Sequence, residues 1–561
     1  MTGGGATGRG GSGTTGLASS LIPHPLALSI GLSLTRPAVL PDMTEDEPLY
    51  VLLRVRAAGP GRVDSNPGPS ALASPWSRPE PGPLPPGPES SDLPTGRLPA
   101  QPPIQNPRSK IQNPDLRPPV HLTLVLDASG SMHRIVLQGQ ERDHWRQVGE
   151  ERGDLKRGRV DGHEGWLWSG RTLAELQAQH RTPIQAALGA LVRTEERLRP
   201  EDGLAVIAFA DRAQQLVAAD TSDRAGQIQT AVSRLSQGVE ASGLGDGTRL
   251  AEGLRLALEE AVGCRLSAVS RVNDRLVRAD GRQPTADSHG SERLFLISDG
   301  LLEDRIACGA WVERIAEWGI PLSCIGVGDQ FDEEWLMWAA DTTRGRFRYA
   351  PTADALEVAV AEELERLETV AVRRLSLRLR PLGGALFRDL AQVSPDLSAL
   401  HRMETDGATY RFSLGDLAQG QEALFLVELA LPALPRGRHP VLAVELVGEC
   451  TTGQPLAAPA AEAVVLATSD LASVAVEPPD LEAVAALHAY RAERRAQRAL
   501  RRGQLGEATR LLRDTRQIVE RLGRSELAAE LEVQATAVEA GARRSPEREK
   551  RIKAGTRRLI G

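Results

Sequence analysis

The chain has 561 residues, which is too long for a single hydrophobic core, so several domains are expected. Hydrophobic residues make up 41% of it and aromatic residues only 3%, so the cores must be built mainly from Leu, Val, Ala and Ile. The net charge is −7 with both signs mixed along the chain, which argues against a nucleic-acid-binding protein. The four cysteines are widely spaced and form no Cys-x-x-Cys pair, which argues against a zinc site and a disulfide framework.

The first 118 residues hold two strand-like segments between stretches of low complexity. Residues 1–20 are rich in Gly, Ser and Thr and are predicted to be disordered. Residues 21–56 contain the apolar runs LALSIGLSL and LYVLLRV, which we expect to be strands that join a β-sandwich formed further along the chain. Residues 57–118 are packed with Pro, Gly and Ser and predict a linker.

No apolar run reaches the roughly 18–20 residues that a membrane-spanning helix needs, so no membrane association is expected. Residues 17–34 are apolar but contain Pro23, His24 and Pro25 and follow a single basic residue, Arg9, which is a poor secretory signal. A cytoplasmic location is therefore expected, with secretion as the alternative.

Residues 119–368 alternate between strand-like and helical patterns. The apolar runs that predict strands are 121–126, 204–210, 294–297, 321–327 and 346–349. The segments with helical spacing are 182–198, 225–235, 248–262, 306–318, 333–340 and 353–367. This alternation predicts an α/β domain with a doubly wound, Rossmann-like sheet and helices on both faces.

The remaining third of the chain changes character twice. Residues 369–475 contain several strand-like runs without intervening helices and predict an antiparallel β-sandwich. Residues 480–541 carry Ala, Leu, Arg and Glu at helical spacing with glycine breaks, which predicts a helical hairpin region. Residues 542–561 form a basic tail that we expect to be solvated.

A polar loop follows the first buried strand of the α/β region. The run HLTLVLDASGSM places Asp127, Ser129 and Ser131 at alternate positions after an apolar strand. Alone, this pattern also fits a helix-capping loop, since Asp and Ser cap helices routinely. Two more oxygen-bearing side chains occur in matching contexts: Thr248 in GLGDGTRLAEGL and Asp299 in LFLISDG. The five residues together resemble the metal-ion-dependent adhesion site (MIDAS) of von Willebrand factor type A (VWA) domains, a resemblance that covers about 120–367.

The chemistry of these residues suits magnesium. Mg²⁺ prefers six oxygen ligands and keeps several waters. The hydroxyls of Ser129, Ser131 and Thr248 would supply neutral oxygens, and the resemblance implies that Asp127 and Asp299 act largely through bound waters. Mn²⁺ suits the same ligands. The site would lie at the carboxyl ends of parallel strands, where open α/β sheets bind ligands.

The resemblance also implies a partner. In VWA domains the metal ion binds a carboxylate of the partner, so we expect a protein partner that presents an acidic residue. Bacterial proteins of this type are often tied to MoxR-like AAA+ ATPases. The resemblance therefore implies a Mg²⁺-dependent protein–protein interaction module in a cytoplasmic scaffold or regulator, with a secreted or surface-exposed adhesion protein as the alternative.

The chain departs from the VWA pattern at residues 133–181, a long insert that follows the metal loop. It carries Trp145, Trp166 and Trp168. Long loops with their own aromatics are often binding loops, and rigid aromatics make good interface anchors. Two interpretations stay open: the insert contributes to partner binding or covers the ion, or its tryptophans fill a local core. A second insert, 271–291, is predicted to be a surface loop.

An enzyme is the remaining alternative. Phosphatases of the haloacid dehalogenase type also begin with a strand followed by Asp, but they need a second Asp where this chain has Ser129. The chain contains no G-x-S-x-G, H-E-x-x-H or P-loop motif. We therefore expect binding rather than catalysis, and a metal-dependent hydrolase is the less favoured alternative. A purely structural domain with an empty site is a further one.

Overall fold

The computed structural model describes residues 26–40, 48–58, 119–160, 163–276, 291–400, 404–451, 453–470, 478–542 and 545–560. The segment predicted to be disordered, 1–20, lies outside these residues. Nearly all of the predicted linker and most of the second insert also lie outside them. The first residues of the second insert belong to a helix that ends at Leu276.

The elements are numbered in chain order. The strands are β1 (Ala27–Leu34), β2 (Ala38–Val39), β3 (Leu49–Ala58), β4 (Val120–Asp127), β5 (Leu155–Val160), β6 (His163–Trp168), β7 (Gly203–Phe209), β8 (Ala213–Val217), β9 (Ser291–Ser298), β10 (Leu322–Val327), β11 (Phe347–Ala350), β12 (Val370–Pro381), β13 (Leu386–Ser394), β14 (Ser398–Ala399), β15 (Glu404–Asp406), β16 (Thr409–Ala418), β17 (Glu422–Ala430), β18 (Gly437–Cys450), β19 (Pro455–Ala457) and β20 (Ala461–Ala467). The α-helices are α1 (Gly139–Arg152), α2 (Gly170–Gln179), α3 (Pro183–Arg197), α4 (Arg224–Ser236), α5 (Val239–Ser242), α6 (Ala251–Leu276), α7 (Arg305–Glu317), α8 (Glu333–Thr343), α9 (Ala353–Glu368), α10 (Pro478–Arg501), α11 (Leu505–Arg521), α12 (Ser525–Glu539) and α13 (Pro546–Thr556).

The α/β domain is built on a six-stranded sheet with the order β11-β10-β9-β4-β7-β8. All neighbours are parallel except β7 and the edge strand β8. The central strands β4 and β7 are buried almost throughout, because both faces of a parallel sheet are covered by its crossover helices. The predicted doubly wound sheet is confirmed, with an antiparallel edge strand added.

Helices cover the two faces of this sheet. Ile184 of α3, with residues of α4 and α9, belongs to the core on one face. Residues of α6, α7 and α8 form the core on the other face, where Leu254, Val312 and Trp335 are buried. Helix α3 begins at a capping box between Thr182 and Gln185, which fixes its start after the insert.

The insert at residues 133–181 is a small folded unit. It contains α1, the antiparallel hairpin β5–β6 and α2. Leu137, Trp145 and Leu176 form its own core. The insert therefore packs locally while its ends stay attached beside the carboxyl end of β4.

The β-sandwich is made of two sheets with a shared apolar core. One sheet has the order β1-β3-β17-β13-β14 and the other β15-β16-β12-β18-β20-β2, with β19 on β18. Strand β3 lies between β1 and β17, so the N-terminal strands pair with strands more than 350 residues later in the chain.

The C-terminal helices pack against both other units. Residues of α10 cover the outer face of the five-stranded sheet, where Tyr50 and Leu52 of β3 meet Leu487. We predicted a solvated basic tail, but the structure buries Ile552 completely and exposes only 4% of Arg557. The physical reason is that the basic residues of α13 find partners on the α/β domain, as described below. Across the described residues, none of the helices has the length and apolarity needed to cross a bilayer.

Candidate functional site

Two parallel neighbours, β4 and β9, end at the same edge of the sheet and bring two carboxylates together. Asp127 is the last residue of β4, and Asp299 follows the last residue of β9. Asp127 is fully buried. Its Oδ2 accepts a hydrogen bond of 2.6 Å from the hydroxyl of Ser298, and its Oδ1 accepts one of 2.9 Å from the backbone N–H of Ser129. These bonds fix the orientation of the carboxylate.

The two serines of the loop meet the second carboxylate. Ser129 is the N-cap residue of a short 3-10 helix, Gly130–His133, and Ser131 lies within that helix. Their hydroxyl oxygens are 3.0 Å apart, and the hydroxyl of Ser131 donates to Oδ1 of Asp299 at 2.6 Å. Four of the five predicted residues are thus joined by hydrogen bonds at one edge of the sheet.

Thr248 approaches this group from the loop before α6. Its backbone N–H donates to the carboxylate of Glu303 at 3.2 Å, and its carbonyl accepts from the Glu303 N–H at 3.1 Å. A Cβ atom on Gly300 would lie only 2.9 Å from the Thr248 hydroxyl oxygen. The hydroxyl of Thr248 is therefore next to the residue that follows Asp299, and a glycine is needed there for this close approach.

The electrostatics of the two carboxylates are unfavourable without a cation. Burial raises the pKa of Asp127, although hydrogen bonds from Ser129 and Ser298 oppose the rise. The pKa of Asp299 is raised to about 8, first by burial and then by the charge of Asp127. Two buried carboxylates beside several hydroxyl oxygens match the donor set of a hard divalent cation.

The ligand set is of an unusual kind for a protein metal site. Among the described residues, no group of three or more His, Cys, Asp and Glu side chains could hold a metal ion. The predicted set has only two carboxylates and relies on three hydroxyls. Metal binding by these residues therefore stays a prediction.

The structure adds acidic residues that the sequence analysis did not single out. Asp246 contacts the serine loop, since its carboxylate fills the space that a Cβ on Gly130 would need. Asp211 accepts a hydrogen bond of 3.1 Å from the Asp246 N–H. Asp304 accepts from the Leu250 N–H at 3.0 Å and so supports the start of α6. Asp246 stands two residues before Thr248 in the quoted motif, which was the only sequence signal for it.

The three tryptophans of the insert occupy different environments. Trp145 is 6% exposed and packs in the insert core, and the Trp168 indole donates to the Trp145 carbonyl at 3.3 Å. Trp166 is partly exposed, and the guanidinium groups of Arg146 and Arg157 each lie 4.9 Å from its ring centroid. Trp166 and Trp168 are both partly exposed, and a partner-binding role for the insert stays a prediction.

Two apolar side chains are exposed on the segment that follows Asp299. Leu301 is 57% exposed, and Ile306, in the first turn of α7, is 94% exposed. Both residues follow the carboxyl end of β9, on the same side of the sheet as Asp299.

The fold and the tail were compared with known proteins. A solved structure described as von Willebrand factor type A from Catenulispora acidiphila matches with a TM-score of 0.62 and 14% sequence identity, covering 96% of this chain and 99% of that one. The fold is that of a VWA protein. The likeness extends over the sandwich and helical tail as well as the α/β domain, because the match covers nearly the whole of both chains.

The sequence itself is similar to one family model and to one protein of known sequence. Residues 481–561 match the family model described as Sll0103-like, C-terminal alpha-helical domain. The chain is also 26% identical over 269 residues to the uncharacterized protein sll0103 of Synechocystis sp.. That alignment covers 47% of this chain and 57% of the relative. The family model includes the basic tail, which agrees with the packing of α13 as part of the helical unit.

Proposed function

We propose that the chain binds a carboxylate of a protein partner through a Mg²⁺ ion held by Asp127, Ser129, Ser131, Thr248 and Asp299. The observation that carries the proposal is the hydrogen-bonded group in which Ser129 and Ser131 connect to Asp299 beside the buried Asp127. Mn²⁺ would suit the same oxygens.

Each residue has a distinct part in this proposal. The hydroxyl oxygens offer neutral ligands, so few negative charges neutralise the ion. Asp127 and Asp299 supply the charge that attracts it. Ser298 holds Asp127 in one orientation through its 2.6 Å hydrogen bond. When bound, the ion would supply a strongly electrophilic centre for an external carboxylate.

The proposed function is binding rather than catalysis. The strand-then-Asp arrangement lacks the second acidic residue that a phosphatase of the haloacid dehalogenase type would use, because position 129 is a serine whose hydroxyl is 3.0 Å from that of Ser131. We propose a role as a cytoplasmic scaffold or regulator, and a MoxR-like AAA+ ATPase is the class of partner that the VWA resemblance implies.

The partner surface in this proposal extends beyond the ion. Leu301 and Ile306 would lie against apolar groups that flank the partner's acidic residue. The exposure of Ile306 allows a clean test, because its replacement by Asp removes no buried contact. Near the start of α7, a negative side chain is also compatible with the helix dipole.

The test is a pull-down with the purified full chain as bait, in Mg²⁺ and in EDTA, with mass spectrometry of the captured proteins. The variants are Asp127→Ala, Ile306→Asp and the matched control Asp220→Ala, which changes an exposed acidic residue of the same domain. A partner retained by wild type and the control only in Mg²⁺, and lost by Asp127→Ala, is the expected result. A set of partners that is indifferent to EDTA and to Asp127→Ala would refute the proposal.

A further inference from the structure

A cleft lies where helix α10 faces helix α8 of the VWA-like domain and strand β13 of the sandwich. Its volume is about 590 Å³. Seven basic side chains and only two acidic ones line it, on a chain whose overall charge is −7. The cleft is therefore a local concentration of positive charge in an acidic protein.

Most of this charge comes from one helix. The lining arginines of α10 are Arg491, Arg494, Arg495, Arg498 and Arg501. Their spacing places like charges three and four residues apart, where they are neighbours on the helix surface and repel one another. The series extends over about 15 Å at the rise of an α-helix. Repulsion within such a series lowers the stability of the protein unless an anion neutralises the positive charges.

The protein's own acidic residues neutralise only the two ends of the series. Arg491 pairs with Asp389 at 2.7 Å and with Glu428 at 2.8 Å, and Arg501 pairs with Glu334. Within the ranges that the structure describes, no carboxylate lies within 4 Å of the three arginines between them, which are Arg494, Arg495 and Arg498.

The helix dipole does not explain why these three arginines lie together without carboxylate partners. Basic residues in the last turn of a helix interact well with its negative end, which explains Arg498 and Arg501. Arg494 and Arg495 lie more than a turn before that end, so the effect does not reach them. Arg494 lies over the Tyr490 ring, 5.6 Å from its centroid, which holds the guanidinium at the cleft.

A buried donor in the cleft also lacks an acceptor. Gln497 is 7% exposed, lines the cleft, and its Nε2 has no hydrogen bond of ordinary geometry within the described part of the chain. Glu493 lies one turn earlier on α10. The Gln497 amide opposes the rise in the pKa of Glu493 that burial causes, but the contact between the two side chains does not satisfy the Gln497 Nε2. An unsatisfied buried N–H costs free energy that a bound acceptor would recover.

We propose that this cleft binds an oligophosphate group, as found in the phosphate chain of a nucleotide or in inorganic polyphosphate. Guanidinium groups bind phosphate oxygens through paired, charge-assisted hydrogen bonds. The cleft has the volume of a small-molecule site, and the three unpaired arginines, which are exposed to solvent, all line that one volume. The lining comes mainly from α10, α8 and β13, with Arg305 of α7 and Lys553 of α13, and it includes none of the five predicted metal-site residues.

The test is isothermal titration of the full chain with tripolyphosphate and with ATP, in EDTA so that no metal at the VWA-like edge contributes. The test variant is Arg494→Gln with Arg498→Gln. Its matched control is Arg510→Gln with Arg521→Gln, which removes the same charge from exposed positions of α11. Asp127→Ala is included because its binding must be unchanged if the two sites are independent.

We expect saturable binding that weakens at least tenfold in the test variant and less than twofold in the control and in Asp127→Ala. Tighter binding of ATP than of tripolyphosphate would identify a nucleotide as the ligand, and equal binding would identify the phosphate chain alone. Absence of saturable binding, an equal loss in the control variant, or tighter binding of an oligoglutamate peptide than of tripolyphosphate would overturn the proposal.

Discussion

Replacing Arg557 by Met should weaken the attachment of the C-terminal helix to the VWA-like domain. The guanidinium of Arg557 makes two hydrogen bonds to Asp341, of 2.6 and 3.1 Å, and the two side chains are 5% and 15% exposed. Methionine preserves much of the volume but leaves the Asp341 carboxylate without this partner. Breaking a buried ion pair costs about 3–5 kcal/mol.

The expected cost is somewhat smaller here. Burial lowers the pKa of Arg344 to about 10, and the nearby charge of Asp341 opposes this shift, so Arg344 still balances part of the Asp341 charge when Arg557 is replaced. Asp341 also keeps some contact with water. We therefore expect Arg557→Met to lower the free energy of unfolding by about 2–4 kcal/mol.

Urea unfolding followed by tryptophan fluorescence measures this, because Trp335 and Trp338 lie on α8, the same helix as Asp341. Arg557→Lys keeps the charge but not the paired geometry and should lose less. In the double variant Arg557→Met/Asp341→Leu, the Asp341 carboxylate is no longer left without Arg557, so the total loss should be smaller than the sum of the losses in the two single variants. A loss below about 1 kcal/mol in Arg557→Met, or additive losses in the double variant, would refute this account of the docking.

Three further predictions concern other parts of the chain. Ser298→Ala removes a hydrogen bond to the buried Asp127 carboxylate and should cost about 1–3 kcal/mol in thermal unfolding; an unchanged Tm would contradict this role. Trp145→Ala should open the insert to trypsin because it empties the insert core, whereas Trp166→Ala should leave the cleavage pattern as in wild type; equal patterns would contradict the packing described. Burial raises the pKa of Glu493 from 4.5 to about 7, so the protonated group favours folding fully below pH 4.5 and this contribution is lost as the pH rises through about 7. The Tm of Glu493→Gln relative to wild type should therefore rise from pH 5 to pH 8, and a constant difference would show that Glu493 does not titrate in this range.

The α/β architecture could be predicted because its signals are local. The buried strands read as continuous apolar runs, and helix starts carry capping residues such as Thr182 before Pro183. The five predicted metal-site residues could also be singled out from sequence, since the polar loops follow predicted strands and resemble a known pattern. Their mutual hydrogen bonds needed the structure, because Ser131 and Asp299 are 168 residues apart in sequence.

Other features carried no local signal. The basic tail was predicted to be solvated, since Lys and Arg are usually exposed, yet Lys553 pairs with Glu333 at 2.7 Å and Arg557 with Asp341. Partners so distant in sequence cannot be read from periodicity. The arginine-lined cleft was missed for the same reason, because the exposed charges of α10 resemble an ordinary solvated helix face and only the structure places α8 and β13 opposite them.

The most direct test of the central claim is the thermal stability of the full chain over a range of Mg²⁺ concentrations, compared with EDTA. Wild type and the control Asp220→Asn should show a saturable rise in Tm, which corresponds to about 2.7 kcal/mol when Mg²⁺ is at 100 times its Kd. Asp299→Asn should show no such rise, because it removes one of the two charges that attract the ion. A wild-type Tm that is indifferent to Mg²⁺, or an equal rise in Asp299→Asn, would contradict a metal site at this edge of the sheet.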